Sequence, residues 1–166
     1  RRQRQMCIRD SYSTMYDPNS LHLLPGYTDQ PLPFDSNFGS SPIHPDKIDE
    51  KDIRAMMASY YGMISEIDNG IGTILQKLKA KGLYDNTMII FTSDHGDYMS
   101  YHHMMLKGRH LYDPLIKIPL IVKYPGQQAA GQTDSFLSEN IDVAPTVLEL
   151  CGQPIPPTMQ GRSLLG

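Results

Sequence analysis

Side chains able to do chemistry gather in one part of this 166-residue chain, between Thr87 and Lys107. Ser93-Asp94-His95-Gly96 sets a carboxylate beside an imidazole, and Lys107 follows, with His102 and His103 between. Such a set can hold a metal or an anion. A fixed cation would polarise one ester oxygen while the lysine ammonium neutralises another, which suits phosphate or sulfate esters. Asp94 and His95 are adjacent, so on an extended backbone they point to opposite sides. Sharing one ion requires a sharp turn, which Gly96 permits. Two other arrangements compete. A carboxylate–imidazole pair can be a purely structural hydrogen bond. A zinc site could draw on His95, His102, His103 and His110, but their spacing follows no helical ligand pattern and no cysteine or Glu-flanked pair supports it. His103 and His110 read as surface or packing residues, and Met99, Met104 and Met105 as gap-filling core.

The elements around this loop follow from hydrophobic patterning. Met88 to Thr92 are apolar or β-branched without polar alternation, the pattern of a strand buried on both faces. Asp94 and His95 then fall just past its C-terminal end, the edge where open α/β sheets bind ligands. Upstream, Ile53, Met57, Tyr60, Ile64, Ile67, Ile71, Ile74 and Leu78 form one apolar stripe of helical period, predicting a long helix from Asp46. Acids crowd its start, Lys77, Lys79 and Lys81 its end, and Gly82 stands at C′. Gly62, Gly70 and Gly72 would each weaken an isolated helix by roughly 1 kcal/mol. The helix is therefore expected to lie on a sheet, with glycines at close contacts. Helix, tight turn, buried strand and polar loop make the second half of a βαβ unit.

Ile116 to Lys123 reads as a further strand, with Pro119 marking an edge or a bulge. A short strand is expected at Ser135–Ser138. A helix should start near Asp142, with Asp142 as N-cap, Pro145 in the first turn and Gly152 closing it. Residues 12–45 carry Pro18, Pro25, Pro31, Pro33, Pro42 and Pro45, spaced too closely for a helix, and read as an irregular covering.

Composition narrows the class. The hydrophobic and charged fractions, 40% and 20%, are globular values. No run approaches the ~20 apolar residues of a membrane span, and no apolar h-region marks a signal peptide. A formal charge of −3 gives no reason to expect nucleic acid. Cys7 and Cys151 build neither a disulfide framework nor a paired metal motif, which leaves the compartment open. Residues 1–11 hold four of the fifteen basic residues against one acid, and read as non-native or disordered sequence outside the domain. Residues 12–166 form the domain.

Taken in order, Thr92-Ser93-Asp94-His95-Gly96, Lys107, Ile118-Pro119-Leu120-Ile121 and Pro125-Gly126 resemble the sulfatases of the alkaline phosphatase-like superfamily. So do Tyr60-Tyr61-Gly62 through Ile67-Asp68, Gly82-Leu83-Tyr84-Asp85-Asn86-Thr87, Ile141-Asp142-Val143-Ala144-Pro145-Thr146 and Gln160-Gly161-Arg162-Ser163-Leu164. The resemblance implies an α/β fold, a sandwich of a mostly parallel or mixed sheet flanked by helices, present here as the C-terminal part of the catalytic domain. It implies metal ligation by Asp94 and His95, sulfate binding by Lys107 and, more loosely, a place for His102 near the leaving group. The implied cation is calcium, although an imidazole ligand suits manganese or zinc better. The family nucleophile is a formylglycine made within Cys/Ser-x-Pro-x-Arg. Neither cysteine nor any serine here sits in that motif, and the family's N-terminal acidic ligands are missing. The chain alone is therefore expected not to turn over. A sulfated small molecule or glycan is the implied partner, and family habit implies an exported enzyme. A phosphodiester or phosphonate monoester hydrolase of the same superfamily, or a non-catalytic anion-binding module, are the other readings.

Overall fold

The longest element begins with a reciprocal cap. Asp49 accepts the Asp52 backbone N–H at 2.9 Å, and the Asp52 carboxylate accepts the Asp49 N–H at 3.3 Å. In the computed structural model, which describes residues 10–35, 47–127 and 129–165, the helix so capped is Glu50–Ala80. In chain order the elements are α1 (Asp10–Ser13), α2 (Glu50–Ala80), β1 (Ile89–Thr92), α3 (Asp113–Ile116), β2 (Leu120–Lys123) and α4 (Val143–Leu150). They fall into two compact units, Arg1–Gln128 and Ala129–Gly166. The basic run 1–9 lies outside the described residues, as do residues 36–46, which include two of the six prolines.

α2 ends as its sequence predicts. Gly82 takes a left-handed φ of 66°, its N–H reaches Lys79 O at 3.0 Å, and the Leu83 N–H reaches Leu78 O at 2.9 Å. These two bonds satisfy carbonyls the last turn leaves open. The apolar stripe, however, is covered over only its first half. Ile53 and Met57 are buried with Met99 of the loop, packed by Leu21, Leu23, Tyr27 and Ile48, whereas Ile64, Ile67 and Ile74 are exposed. Among the described residues α2 thus packs on the irregular segment and the loop rather than on the sheet. Gly62 is buried, but nothing lies within 4 Å of a side chain built at Gly70 or Gly72, contrary to the close contacts expected there.

Lys123 pins the turn between α2 and β1: its ammonium donates to the carbonyls of Tyr84, Asp85 and Thr87. β1 pairs with β2 antiparallel, Ile89 opposite Lys123 and Thr92 opposite Leu120. This differs from the expected βαβ half. β1 and β2 are joined by a loop and a four-residue helix, with no crossover helix to bring the chain back parallel. Nor is β1 buried on both faces. Phe91 and Ile121 stand opposite each other and both are exposed. A full sandwich is thus not formed among the described residues, which hold one two-stranded sheet. β2 begins later than expected because Pro114 starts a helical turn over Asp113–Ile116, and Pro119 has no N–H for the ladder.

In the second unit Ser135–Ser138 forms no strand. Asp142 stands at the N-cap position of α4, but its carboxylate does not cap that helix. It accepts the Glu139 N–H and the Arg162 N–H, both at 2.9 Å, and so ties the turn before α4 to the Gly161-Arg162 segment. These two backbone donors hold the Asp142 carboxyl below the usual carboxylate range. Gly152 closes α4 with the same left-handed bond pair seen at Gly82.

Candidate functional site

β1 gives out at Thr92, and the chain turns at once. Ser93 Oγ donates to the His95 carbonyl at 2.7 Å, and the His95 N–H donates to Asp94 Oδ1 at 2.9 Å. Gly96 is needed here for a further reason besides the turn. Its φ is not left-handed. The backbone of α3 itself comes so close that a Cβ on Gly96 would lie 2.0 Å from the Pro114 carbonyl oxygen, while the Gly96 N–H donates to Leu115 O at 2.8 Å. The glycine lets α3 dock against the turn.

That turn brings together three of the four side chains expected to act. His95 Nδ1 lies 2.8 Å from Gly96 O. A carbonyl can only accept, so Nδ1 carries the hydrogen and Nε2 presents its lone pair. Nε2 lies 2.8 Å from Lys107 Nζ and 3.5 Å from Asp94 Oδ2. The Asp94 side chain is 83% exposed. The His95 backbone N–H holds its carboxyl below the usual range, and the nearby Lys107 ammonium adds to the effect.

The donor set fits a divalent cation as part of a shell. Neighbouring donors on such an ion stand roughly 3 to 3.6 Å apart for ligand distances of 2.0 to 2.6 Å, a range that includes the Oδ2–Nε2 separation. Among the described residues, however, no group of three His, Cys, Asp or Glu side chains converges to complete a site. The zinc tetrad is likewise not assembled. His102 and His110 direct Nδ1 at Asp35, 2.8 and 3.8 Å away, and His103 Nδ1 bonds Thr28 O at 2.9 Å. His103 is a buried packing residue, as expected, and Met99, Met104 and Met105 are buried core.

His102 belongs to a second cluster that sequence reasoning missed. Its centre is Asp35, 1% exposed, which accepts His102 Nδ1–H on one oxygen and the Tyr112 hydroxyl on the other at 2.9 Å. Tyr101 stacks on the His102 ring at 4.0 Å between centroids, and Tyr112 meets it edge-on at 4.8 Å. The backbone between the two clusters is strained. Met99, Ser100, His102, His103 and Leu106 all hold left-handed φ values, 39° to 74°, that non-glycine residues rarely adopt. Strain of this kind concentrates at functional sites. Five such residues within the eight from Met99 to Leu106, none a glycine, leave no signal in composition.

Comparison with known proteins places these residues in context. The Sulfatase family profile matches residues 12–153. The chain is 44% identical over 119 residues to the multifunctional alkaline phosphatase superfamily protein PehA of Trinickia caryophylli, covering 71% of this chain and 23% of that protein. It is 38% identical over 119 residues to arylsulfatase K of Bos taurus, covering 72% and 22%. It therefore spans about a fifth of the length of the curated relatives it matches. Among solved structures, the phosphonate monoester hydrolase from Silicibacter pomeroyi superposes with a TM-score of 0.80 at 36% identity, covering 93% of this chain and 33% of that one. A second superposes with a TM-score of 0.66 at 36% identity, covering 69% and 23%, and was solved with its substrate D-glucosamine-2-N,6-O-disulfate.

Proposed function

Because the chain belongs to the sulfatase family, we propose that the full-length protein is a metal-dependent sulfuric ester hydrolase and that residues 12–166 supply one side of its active site. The observation that carries the reading is the cluster of Asp94 Oδ2, His95 Nε2 and Lys107 Nζ, with Lys107 2.8 Å and Asp94 3.5 Å from the same imidazole nitrogen. Asp94 and His95 would hold the cation, most simply calcium, with manganese or zinc as the softer alternatives. A divalent cation there supplies Lewis-acid polarisation of an ester oxygen. Lys107, freed from His95 Nε2 when that lone pair is engaged, binds and neutralises a second sulfate oxygen. His102 faces the leaving group. The nucleophile, a formylglycine from a Cys/Ser-x-Pro-x-Arg segment, lies outside this chain, so the chain alone does not turn over.

The substrate class is a sulfated small molecule or glycan, a reading supported by the disulfated glucosamine bound to a structural relative. Family habit favours an exported protein, and among the described residues no helix is long and apolar enough to cross a membrane. A second reading, phosphonate monoester hydrolysis, is favoured by the superposition with the Silicibacter pomeroyi enzyme. Steady-state hydrolysis of aryl sulfates against aryl phosphonate monoesters by the full-length protein decides between them. A higher kcat/KM for the sulfate supports the first reading; a higher value for the phosphonate replaces it with the second.

A further inference from the structure

We propose that Asp35 is a positioning residue that sets the tautomer and orientation of His102 for its work on the leaving group. The inference rests on the reading above, which puts His102 beside the ester. Asp35 Oδ2 lies 2.8 Å from His102 Nδ1, and a carboxylate oxygen accepts, so Nδ1 keeps its hydrogen and Nε2 is the nitrogen that would carry the proton handed to the leaving-group oxygen, the ring then returning to its neutral Nδ1–H form. The ring is held on its other sides as well. Tyr101 covers one face, Tyr112 packs on it edge-on, and the His102 backbone N–H is tied to Gly26 O at 2.8 Å. Tyr112 donates to the remaining carboxylate oxygen, with His110 Nδ1 3.8 Å from it. These are the titratable side chains that face His102 and Asp35 across the cluster.

The neighbouring histidine shows why this is more than a structural bond. His103 is 3% exposed and satisfies its Nδ1 on a backbone carbonyl, which costs no buried charge. His102 keeps 18% of its side chain exposed and is held by a carboxylate that is itself 1% exposed. Among the described residues, no lysine or arginine pairs with that carboxylate. Burying a carboxylate is costly, and an amide or carbonyl could accept the same hydrogen at less cost. A carboxylate in that place steadies an imidazole through a change of charge, which a carbonyl does less well.

Asp35→Asn in the full-length protein separates the two roles. An amide offers one acceptor oxygen where the carboxylate offers two, so either His102 or Tyr112 loses its acceptor. We expect kcat to fall about 10- to 100-fold with KM within about twofold. The loss should grow as the leaving group of a graded series of sulfate esters becomes less acidic. Asp35→Glu, which restores the charge, should recover part of the rate, and Asp35→Asn should add no further loss in a His102→Ala background. An equal loss across all leaving groups, or a full additional loss on top of His102→Ala, overturns the proposal. If Asp35→Asn does not fold, the imidazole 15N spectrum of the wild-type protein carries the test. A ring with hydrogen on Nδ1, neutral or doubly protonated, is expected, and a neutral ring with its hydrogen on Nε2 alone overturns it. That spectrum needs no substrate. A wild-type protein inactive on every ester but with His102 as Nδ1–H would therefore fail the hydrolase reading while leaving the clamp intact.

Discussion

The Asp94–His95 and Asp35–His102 carboxylate–imidazole pairs are built in opposite ways. Asp94 and His95 are neighbours in sequence, sit just past a strand end, and leave the carboxylate 83% exposed with a lysine alongside. Asp35 and His102 are 67 residues apart, and their carboxylate is 1% exposed, surrounded by aromatic rings. An exposed carboxylate can be reached by an ion from solvent. A buried one spends its lone pairs on fixed donors and acts only through what it holds. The first pair is suited to bind, the second to position.

The largest expected effects come from breaking each pair and reading activity and stability together. Asp94→Ala in the full-length protein should lower kcat/KM at least about 10³-fold while leaving the melting temperature unchanged, because the side chain is exposed. Asp35→Ala should cost about 3 kcal/mol of unfolding free energy, since it removes one partner of a buried pair. Calorimetry and steady-state assays on the two variants check this. Equal destabilisation by both would erase the distinction between the pairs.

Lys107 sharpens the comparison from the anion side. Lys107→Ala should weaken inhibition by inorganic sulfate about tenfold or more, the scale of a charge-assisted contact, and change cation affinity much less. Competitive inhibition and cation titration on one sample measure both, and a matched loss of the two would make Lys107 a structural partner of His95.

The smallest effect comes from a third carboxylate, which is buried and held by backbone donors. Asp142 is held by the backbone N–H groups of Arg162 and Glu139, which lower its pKa. A carboxyl whose pKa is lowered on folding stabilises above its unfolded value, near 3.9, and that contribution is lost as pH falls through the folded value. Asp142→Asn should therefore cost about 1 kcal/mol at neutral pH, and the gap from wild type should close on acidification below about pH 3.9. Chemical denaturation at a series of pH values reads the gap; one that widened in acid would refute the assignment.

How far these features were legible differs residue by residue, for physical reasons. Asp94, His95 and Lys107 are close in sequence and follow a β-branched run, so their meeting needs only a local turn. Asp35 follows Pro33 and Phe34 in a stretch without periodicity, and nothing local marks its carboxylate as the partner of a histidine 67 residues on. The stripe of α2 announced a helix, with its N-cap at Asp49 rather than at the expected start, Asp46, and Gly82 at C′. A stripe does not say what covers it, and here the cover over Ile53 and Met57 is an irregular segment and a methionine loop. Hydrophobic runs also carry no direction, so the antiparallel pairing of β1 with β2 was not readable from Met88–Thr92. The sharp turn at Gly96 was readable, but the close approach of the Pro114 carbonyl, which excludes a Cβ there, was not, because nothing local marks which backbone will pack against the turn.

Cation binding at Asp94 and His95 is the property on which the hydrolase reading most directly depends. Isothermal titration of calcium and of manganese into the full-length protein, its Asp94→Ala form and its His95→Ala form measures it. Binding of one cation by the wild type, lost or weakened at least about tenfold in both variants, is the predicted result. Unchanged affinity in the two variants would contradict it.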